Sequence, residues 1–134
     1  MQEEEWRRKA RQNLRAAEEL VNFFQEDSET LTYDFGNPIA SRTYYSAFQT
    51  VVASMIKLGV TPDQIGSSEG KWSHGILRPA CKSRLNDTDL ATLIEDARSE
   101  REKADYGPGD VSQQEAVELL ADVRERLRRY GLQS

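Results

Sequence analysis

The chain has 134 residues, of which 37% are hydrophobic and 31% are charged, and its formal net charge is −5. This length suits one domain over residues 1–134, and the composition leaves too few apolar residues for a membrane protein. The negative net charge argues against a protein that coats nucleic acid through its overall field, although it still allows local basic patches. The N-terminus lacks the basic start and apolar stretch of a secretory signal, so we expect a cytoplasmic location.

The first two helices are predicted from the spacing of their apolar residues. Over residues 3–26 an apolar residue recurs every three or four positions, which is the spacing of one face of an amphipathic helix. This stripe contains Trp6, Ala10, Leu14, Ala17, Leu20, Val21 and Phe24. The period is lost from Asp27 to Gly36, and Asn37-Pro38 then supplies an N-cap residue followed by a first-turn proline. The helix that follows is the most apolar segment of the chain and is closed by Gly59, so it is predicted to be the central one.

The remaining elements are also helical. Thr61-Pro62 predicts one short turn, and the glycines and serines of residues 66–70 predict a flexible loop. Ser73 can cap a short helix, and a break at residues 86–87 precedes the next one. Residues 112–115 have the pattern of a capping box, which begins a final helix that ends at Gly131. Because short connections favour antiparallel neighbours, we predict an all-α, up-and-down bundle of four to five helices.

An arginine interrupts the apolar face of the helix predicted to follow the break at residues 86–87. The spacing of three or four residues joins Leu90, Leu93, Ile94, Ala97, Arg101 and Ala104 into one helical face. Guanidinium groups are almost never fully buried unless they are paired. Arg101 is therefore expected either to pair with Asp105, one turn further on, or to line a cleft that recognises an anion.

Other chemistries find little support in the sequence. It contains no glycine-rich strand-to-helix loop, no HExxH and no cysteine–histidine cluster, so we predict neither a metal nor a cofactor. Cys81 is the single cysteine and is expected to be a small, semi-buried helix residue. His74, the single histidine, lies at a predicted helix start, where a local hydrogen bond is more typical than catalysis. Tyr44 and Tyr45 are expected to pack with their hydroxyls directed to a cleft.

Four segments, taken in order, resemble the HEPN family of small helical proteins. They are Ser41 to Phe48, Ser73-His74, Arg101 to Tyr106 with its Ala-Asp-Tyr triplet, and Val111 to Ala116. The resemblance implies a bundle of four or five helices that dimerises through its motif-bearing helices. Such proteins occur in prokaryotic toxin–antitoxin, abortive-infection and CRISPR-linked systems. Many are metal-independent ribonucleases, and others pair with a minimal nucleotidyltransferase.

The sequence departs from the catalytic pattern of that family. Catalytic members carry an arginine, then four to six residues, then a histidine, but residues 106–108 here are Tyr-Gly-Pro. Whether the protein is an enzyme therefore stays open at this point. The candidate catalytic residues are Arg101, Asp105, Tyr106 and His74. The candidate ligand-binding residues are Arg101, Arg42 and Tyr45.

Three functions are compatible with these features. The leading hypothesis is a homodimeric RNA- or nucleotide-binding regulatory component of a prokaryotic defence or toxin–antitoxin module, with Arg101 presented to a phosphate. The second is a metal-independent ribonuclease toxin in which Asp105, Tyr106 or His74 replaces the missing histidine. The third is a structural adaptor for a larger partner protein. A nucleotidyltransferase or another defence-system protein is the expected partner, and fold alone does not choose among these functions.

Overall fold

The computed structural model describes residues 2–26, 36–107 and 110–133, without the side chains of residues 24–26. Within these ranges the chain forms five α-helices and two 3-10 turns and no strand, which confirms the all-α prediction. The helices are α1 (Glu3–Glu26), α2 (Gly36–Lys57), α3 (His74–Ser83), α4 (Thr88–Asp105) and α5 (Gln113–Leu127). The 3-10 turns are Pro62–Ile65 and Arg128–Tyr130. The predicted loss of period over residues 27–35 and the side chain of Phe24 lie outside the described residues.

Helix α2 is the centre of the bundle and packs against α1, α4 and α5. Its apolar and small side chains are buried along most of its length, and Val51, Val52 and Met55 are completely inaccessible to solvent. The burial of these side chains is the main source of the bundle's stability. The short helix α3 packs mainly on α4.

The contacts between the helices fix their directions. Arg101 contacts Tyr45 and Asp105 contacts Ser41, so α4 runs antiparallel to α2. Asp89 near the start of α4 contacts Arg126 near the end of α5, so these two helices are also antiparallel. Helix α5 is therefore parallel to α2, as expected for an up-and-down bundle. No helix in the described ranges is long and apolar enough to cross a membrane.

Helix α2 begins at Gly36, two residues earlier than the sequence indicates, because Asn37 does not act as its N-cap. The Asn37 amide donates to Asp110 Oδ1 at 3.0 Å, and its Oδ1 accepts from the Val111 N–H at 2.8 Å. Gly36 lies directly against this segment, and a Cβ atom there would meet the Val111 carbonyl oxygen at 2.0 Å. The Asn37 side chain therefore bonds to the segment before α5 and does not cap α2.

The other predicted helix boundaries agree with the structure, although Ser73, at the N-cap position of α3, makes no side-chain cap hydrogen bond. Asn86 has a positive φ of 51°, and the Asp87 carboxylate that follows accepts from the Leu90 N–H at 2.9 Å. Ser112 Oγ accepts from the Glu115 N–H at 3.1 Å, which is one half of a capping box. The last turn ends at Gly131, whose φ of 89° favours glycine. The hydrogen bond from Ser41 to Asp105 places the end of α4 beside the first turns of α2.

Candidate functional site

The side chain of Arg101 lies among three tyrosine rings. Its guanidinium carbon is 5.8 Å from the ring centroid of Tyr44, 5.2 Å from that of Tyr45 and 5.1 Å from that of Tyr106. Only 20% of the arginine side chain is exposed. These distances are within the range of cation–π attraction. We call this group of four residues the arginine cage.

Hydrogen bonds hold one edge of the Arg101 guanidinium. Nη2 donates to the Tyr45 hydroxyl at 2.8 Å and to the Tyr106 hydroxyl at 3.1 Å. Nε is buried and lies 3.2 Å from Asp105 Oδ2, but its N–H is not aligned for a hydrogen bond with that oxygen. Nη1 has no hydrogen-bond partner among the described residues. The cage therefore orients the guanidinium and leaves the two N–H groups of Nη1 for a ligand.

Asp105 is the nearest anion to Arg101 and is itself held by α2. Its Oδ1 accepts from the Ser41 hydroxyl at 2.6 Å, while its Oδ2 faces Arg101. Burial lowers the pKa of Arg101, but the nearby Tyr45 hydroxyl, Tyr106 hydroxyl and Asp105 carboxylate outweigh it and raise that pKa. Arg101 is therefore a permanent cation that is paired on one side only.

An open cleft adjoins the arginine cage. Its volume is about 430 Å³, and its lining residues include Ser41, Arg42, Tyr45 and Asp105. Arg42 is exposed and donates from Nη1 to Asn13 Oδ1 at 3.1 Å. The cleft thus brings a second cation close to the residues that hold Arg101.

His74 belongs to a neighbouring buried network. Its Nε2 lies 2.8 Å from Glu95 Oε2, and its Nδ1 lies 3.3 Å from the Tyr44 hydroxyl. Only 8% of the His74 side chain is exposed. The hydrogen bond with His74 is the main reason that the pKa of Glu95 falls below its ordinary value. Burial raises the pKa of Tyr44 to about 12, so this hydroxyl stays neutral.

The network separates His74 from the guanidinium. Tyr44 contacts both residues, with its hydroxyl at His74 and its ring beside Arg101, and no direct contact joins His74 to Arg101 among the described residues. Both ring nitrogens of His74 already face a partner. In this arrangement His74 supports Tyr44 and has no free nitrogen to exchange a proton with a ligand.

The structure brings together most of the residues that the sequence singles out. Arg101, Asp105, Tyr106 and Tyr45 lie in contact, and Arg42 lines the adjoining cleft. The sequence did not indicate Glu95, because its partner His74 is 21 residues away and no local motif connects them.

Two expectations need correction. The Tyr44 hydroxyl does not face the cleft but is buried against His74, because α3 covers this part of α2. Cys81 is completely buried rather than semi-buried, and burial raises the pKa of its thiol to about 12. In the described part of the chain, no group of three or more histidine, cysteine or acidic residues could hold a metal ion.

Comparison with known protein families gives a match over nearly all of the chain. The family model for the HEPN domain matches residues 3–131, which is nearly the whole chain. No curated protein and no solved structure matches it.

Proposed function

The chain belongs to the HEPN domain family, and from this membership and the geometry of the arginine cage we propose that it binds a phosphate group of an RNA or a nucleotide. Arg101 is the phosphate-binding residue in this proposal. The protein would act as a regulatory component of a prokaryotic defence or toxin–antitoxin module. Family membership supports this biological setting, and the site supports the chemistry.

The observation that carries the proposal is the half-satisfied guanidinium of Arg101. Tyr45 and Tyr106 hold Nη2, and Asp105 faces Nε, so the group is oriented before any ligand arrives. A preorganised arginine edge suits the oxygen atoms of a phosphate, and charge-assisted hydrogen bonds are stronger than neutral ones. Tyr106 is 73% exposed, so its ring can also contact a base of the same ligand.

Ribonuclease activity is the second candidate function. Tyr106 occupies the first of the three positions, 106–108, where catalytic members carry the histidine, and its hydroxyl lies 3.1 Å from Arg101 Nη2. The residue is exposed, so it can reach a bound ligand. This contact favours Tyr106 over His74 as a substitute, because both nitrogens of His74 are engaged. Binding without cleavage remains the leading proposal, since residues 106–108 lack the histidine that catalytic family members use as general acid and base.

The proposal includes a homodimer and a protein partner. In a symmetric dimer, two copies of the arginine cage would face one shared cleft, which gives a functional reason for a cation at an otherwise apolar helix position. A nucleotidyltransferase encoded beside this protein is the proposed partner. Both parts rest on family membership.

The test is a titration of short RNAs and of nucleotides against the wild type and Arg101→Ala, with no added metal. Arg84→Ala is the control, because Arg84 is an exposed arginine that donates to the Gln64 carbonyl oxygen at 3.4 Å and makes no contact with the cage. We expect Arg101→Ala to lose most of the binding and no sample to contain cleavage products. Efficient cleavage that Arg101→Ala abolishes would favour the ribonuclease. Binding that neither variant changes would remove Arg101 from the site.

A further inference from the structure

A second cleft lies at the C-terminal end of α2, whereas the arginine cage contacts the middle of that helix. Its volume is about 640 Å³, and its lining includes four cations, Arg7, Lys57, Arg128 and Arg129, but no acidic residue. Twelve residues separate Tyr45 from Lys57 on the same helix, which corresponds to about 18 Å along its axis. We call this second opening the basic cleft. It concentrates positive charge in a protein whose net charge is −5.

The cations of the basic cleft are only partly neutralised. Lys57 and Arg129 are exposed, and neither lies within ion-pair distance of a described carboxylate, although the charge of Arg129 helps to lower the pKa of Asp87. Arg128 lies 3.9 Å from Glu125, but the two side chains are 65% and 80% exposed. Exposed pairs of this kind contribute little free energy. Three cations are therefore available to an anionic ligand.

The fourth cation forms part of the fixed wall. Arg7 Nε pairs with Glu3 at 2.7 Å, and its Nη1 donates to the Tyr130 carbonyl oxygen at 2.7 Å. Gly131 leaves room for this arginine, because a Cβ atom there would lie 3.0 Å from Arg7 Nη1. Arg7 thus ties the start of α1 to the end of the chain and shapes the cleft.

The basic cleft also offers apolar surface. Leu58 is 57% exposed, and Tyr130 lies in the wall with its hydroxyl donating to Asp87 Oδ2 at 2.5 Å. A small anion needs convergent donors, whereas these cations are distributed over α2 and the last turn. Dispersed cations can contact successive phosphates of a nucleic acid strand, and the aromatic and aliphatic side chains beside them can contact its bases.

We propose that the basic cleft binds a segment of single-stranded RNA. Lys57, Arg128 and Arg129 contact its phosphates, and Leu58 and Tyr130 contact its bases. The site is separate from Arg101, so this assignment stands or falls independently of the proposed function. The competing explanation is that these cations only complement the C-terminal dipoles of α2 and α5, in which case they have no effect on RNA.

The experiment compares two double variants, in each of which two cations are replaced by uncharged glutamine. Lys57→Gln/Arg129→Gln removes two cations from the cleft, and Lys71→Gln/Lys82→Gln removes two exposed cations elsewhere. The affinity of each protein for an oligouridylate of about 12 nucleotides is measured over a range of salt concentrations. Each phosphate contact on a single strand contributes about 0.7 to the slope of log affinity against log salt. The cleft pair should therefore bind more weakly and reduce the slope by about 1.4, and the control pair should keep the wild-type slope.

Two further arms make the outcome decisive. In the Arg101→Ala background, uridine monophosphate should bind far more weakly than the oligomer, because one phosphate cannot reach several dispersed cations. If Arg101→Ala leaves binding unchanged while the cleft pair still reduces the slope, only the proposal for Arg101 fails. Equal losses in both substituted pairs, equal affinity of Arg101→Ala for the monophosphate and the oligomer, or no binding of the oligomer by the wild type would each overturn the assignment of the basic cleft.

Discussion

Arg101 and Tyr45 interact in two ways at once. The guanidinium carbon lies 5.2 Å from the centroid of the Tyr45 ring, and Nη2 donates to the hydroxyl of the same residue at 2.8 Å. The ring attracts the charge, and the hydroxyl fixes the rotation of the guanidinium plane. Tyr45, which also lines the adjoining cleft, therefore fixes the orientation of the Arg101 guanidinium.

Replacing Tyr45 by phenylalanine tests this relationship. Tyr45→Phe keeps the ring but removes the acceptor of Arg101 Nη2, so we expect a loss of about 1 kcal/mol of stability. Tyr106→Phe removes the longer bond of 3.1 Å from a residue that is 73% exposed, and it should cost less. The measurement is urea denaturation of both variants, with RNA binding followed in parallel. Equal costs would show that Tyr45 has no special role in positioning Arg101.

The close approach of α2 to the segment before α5 gives a second prediction. Gly36→Ala would place a Cβ atom 2.0 Å from the Val111 carbonyl oxygen, so the helix or the segment must move. We expect a loss of about 1–3 kcal/mol, the usual cost of overpacking. Gly75→Ala in α3 is the control, because nothing lies within 4 Å of its Cβ position. The control should be neutral or stabilising by up to about 1 kcal/mol. Thermal unfolding that ranks the two variants in the opposite order would contradict the described packing.

Much of the fold could be predicted because helices leave local signals. Apolar spacing indicates the helices, and Asp87 and Ser112 mark helix starts through hydrogen bonds to residues three positions later. The start of α2 was misplaced because Asn37 bonds to Asp110 and Val111, more than 70 residues away in the chain. A tertiary partner of this kind is invisible to local patterns.

The candidate site was only partly predictable for the same reason. Arg101 and Asp105 are one helical turn apart, so their pairing follows from spacing alone. The contacts of Arg101 with Tyr45, and of His74 with Glu95, join different helices and depend on how the bundle packs. Arg7 from α1 and Arg128 and Arg129 after α5 line one cleft, and no local pattern indicates that these distant parts of the chain meet.

The third prediction concerns the acid dependence of stability. Burial alone would raise the pKa of Asp87, but hydrogen bonds from Tyr130 and the Leu90 N–H, and the Arg126 guanidinium, hold it below its ordinary value of 3.8. A carboxylate with a lowered pKa in the folded state contributes stability above its unfolded pKa, and this contribution is lost as the pH falls through the folded value. The wild type should therefore lose stability below about pH 4 more steeply than Asp87→Asn.

Melting temperatures between neutral and acidic pH provide the measurement. Near neutral pH, Asp87→Asn should be less stable than the wild type by about 1 kcal/mol, and the difference should shrink on acidification. Asp89→Asn is the matched control, because the Asp89 side chain is 81% exposed whereas that of Asp87 is 10% exposed. If the difference in melting temperature between Asp87→Asn and the wild type stays constant with pH, Asp87 does not stabilise the fold through its charge.

Dimerisation is the fourth prediction. Light scattering at micromolar concentration should give about twice the mass of one chain, which is 15.3 kDa. The physical reason is that two copies can place their arginine cages at one cleft, where a single ligand satisfies both cations. A single species at the mass of one chain, unchanged when RNA is added, would count against the dimer.

The central claim is that Arg101 presents a fixed planar edge, and not just a positive charge, to a phosphate. The most direct test is the affinity of Arg101→Lys for short RNA and for a nucleotide, with Arg98→Lys as the matched control on the same helix. Lysine keeps the charge but lacks a planar guanidinium. It therefore cannot donate to Tyr45 through one edge and bind a phosphate through another. We predict that Arg101→Lys binds at least about tenfold more weakly than the wild type, a loss of about 1.4 kcal/mol, and that Arg98→Lys binds normally. Wild-type affinity in Arg101→Lys, or equal losses in both variants, would contradict the account.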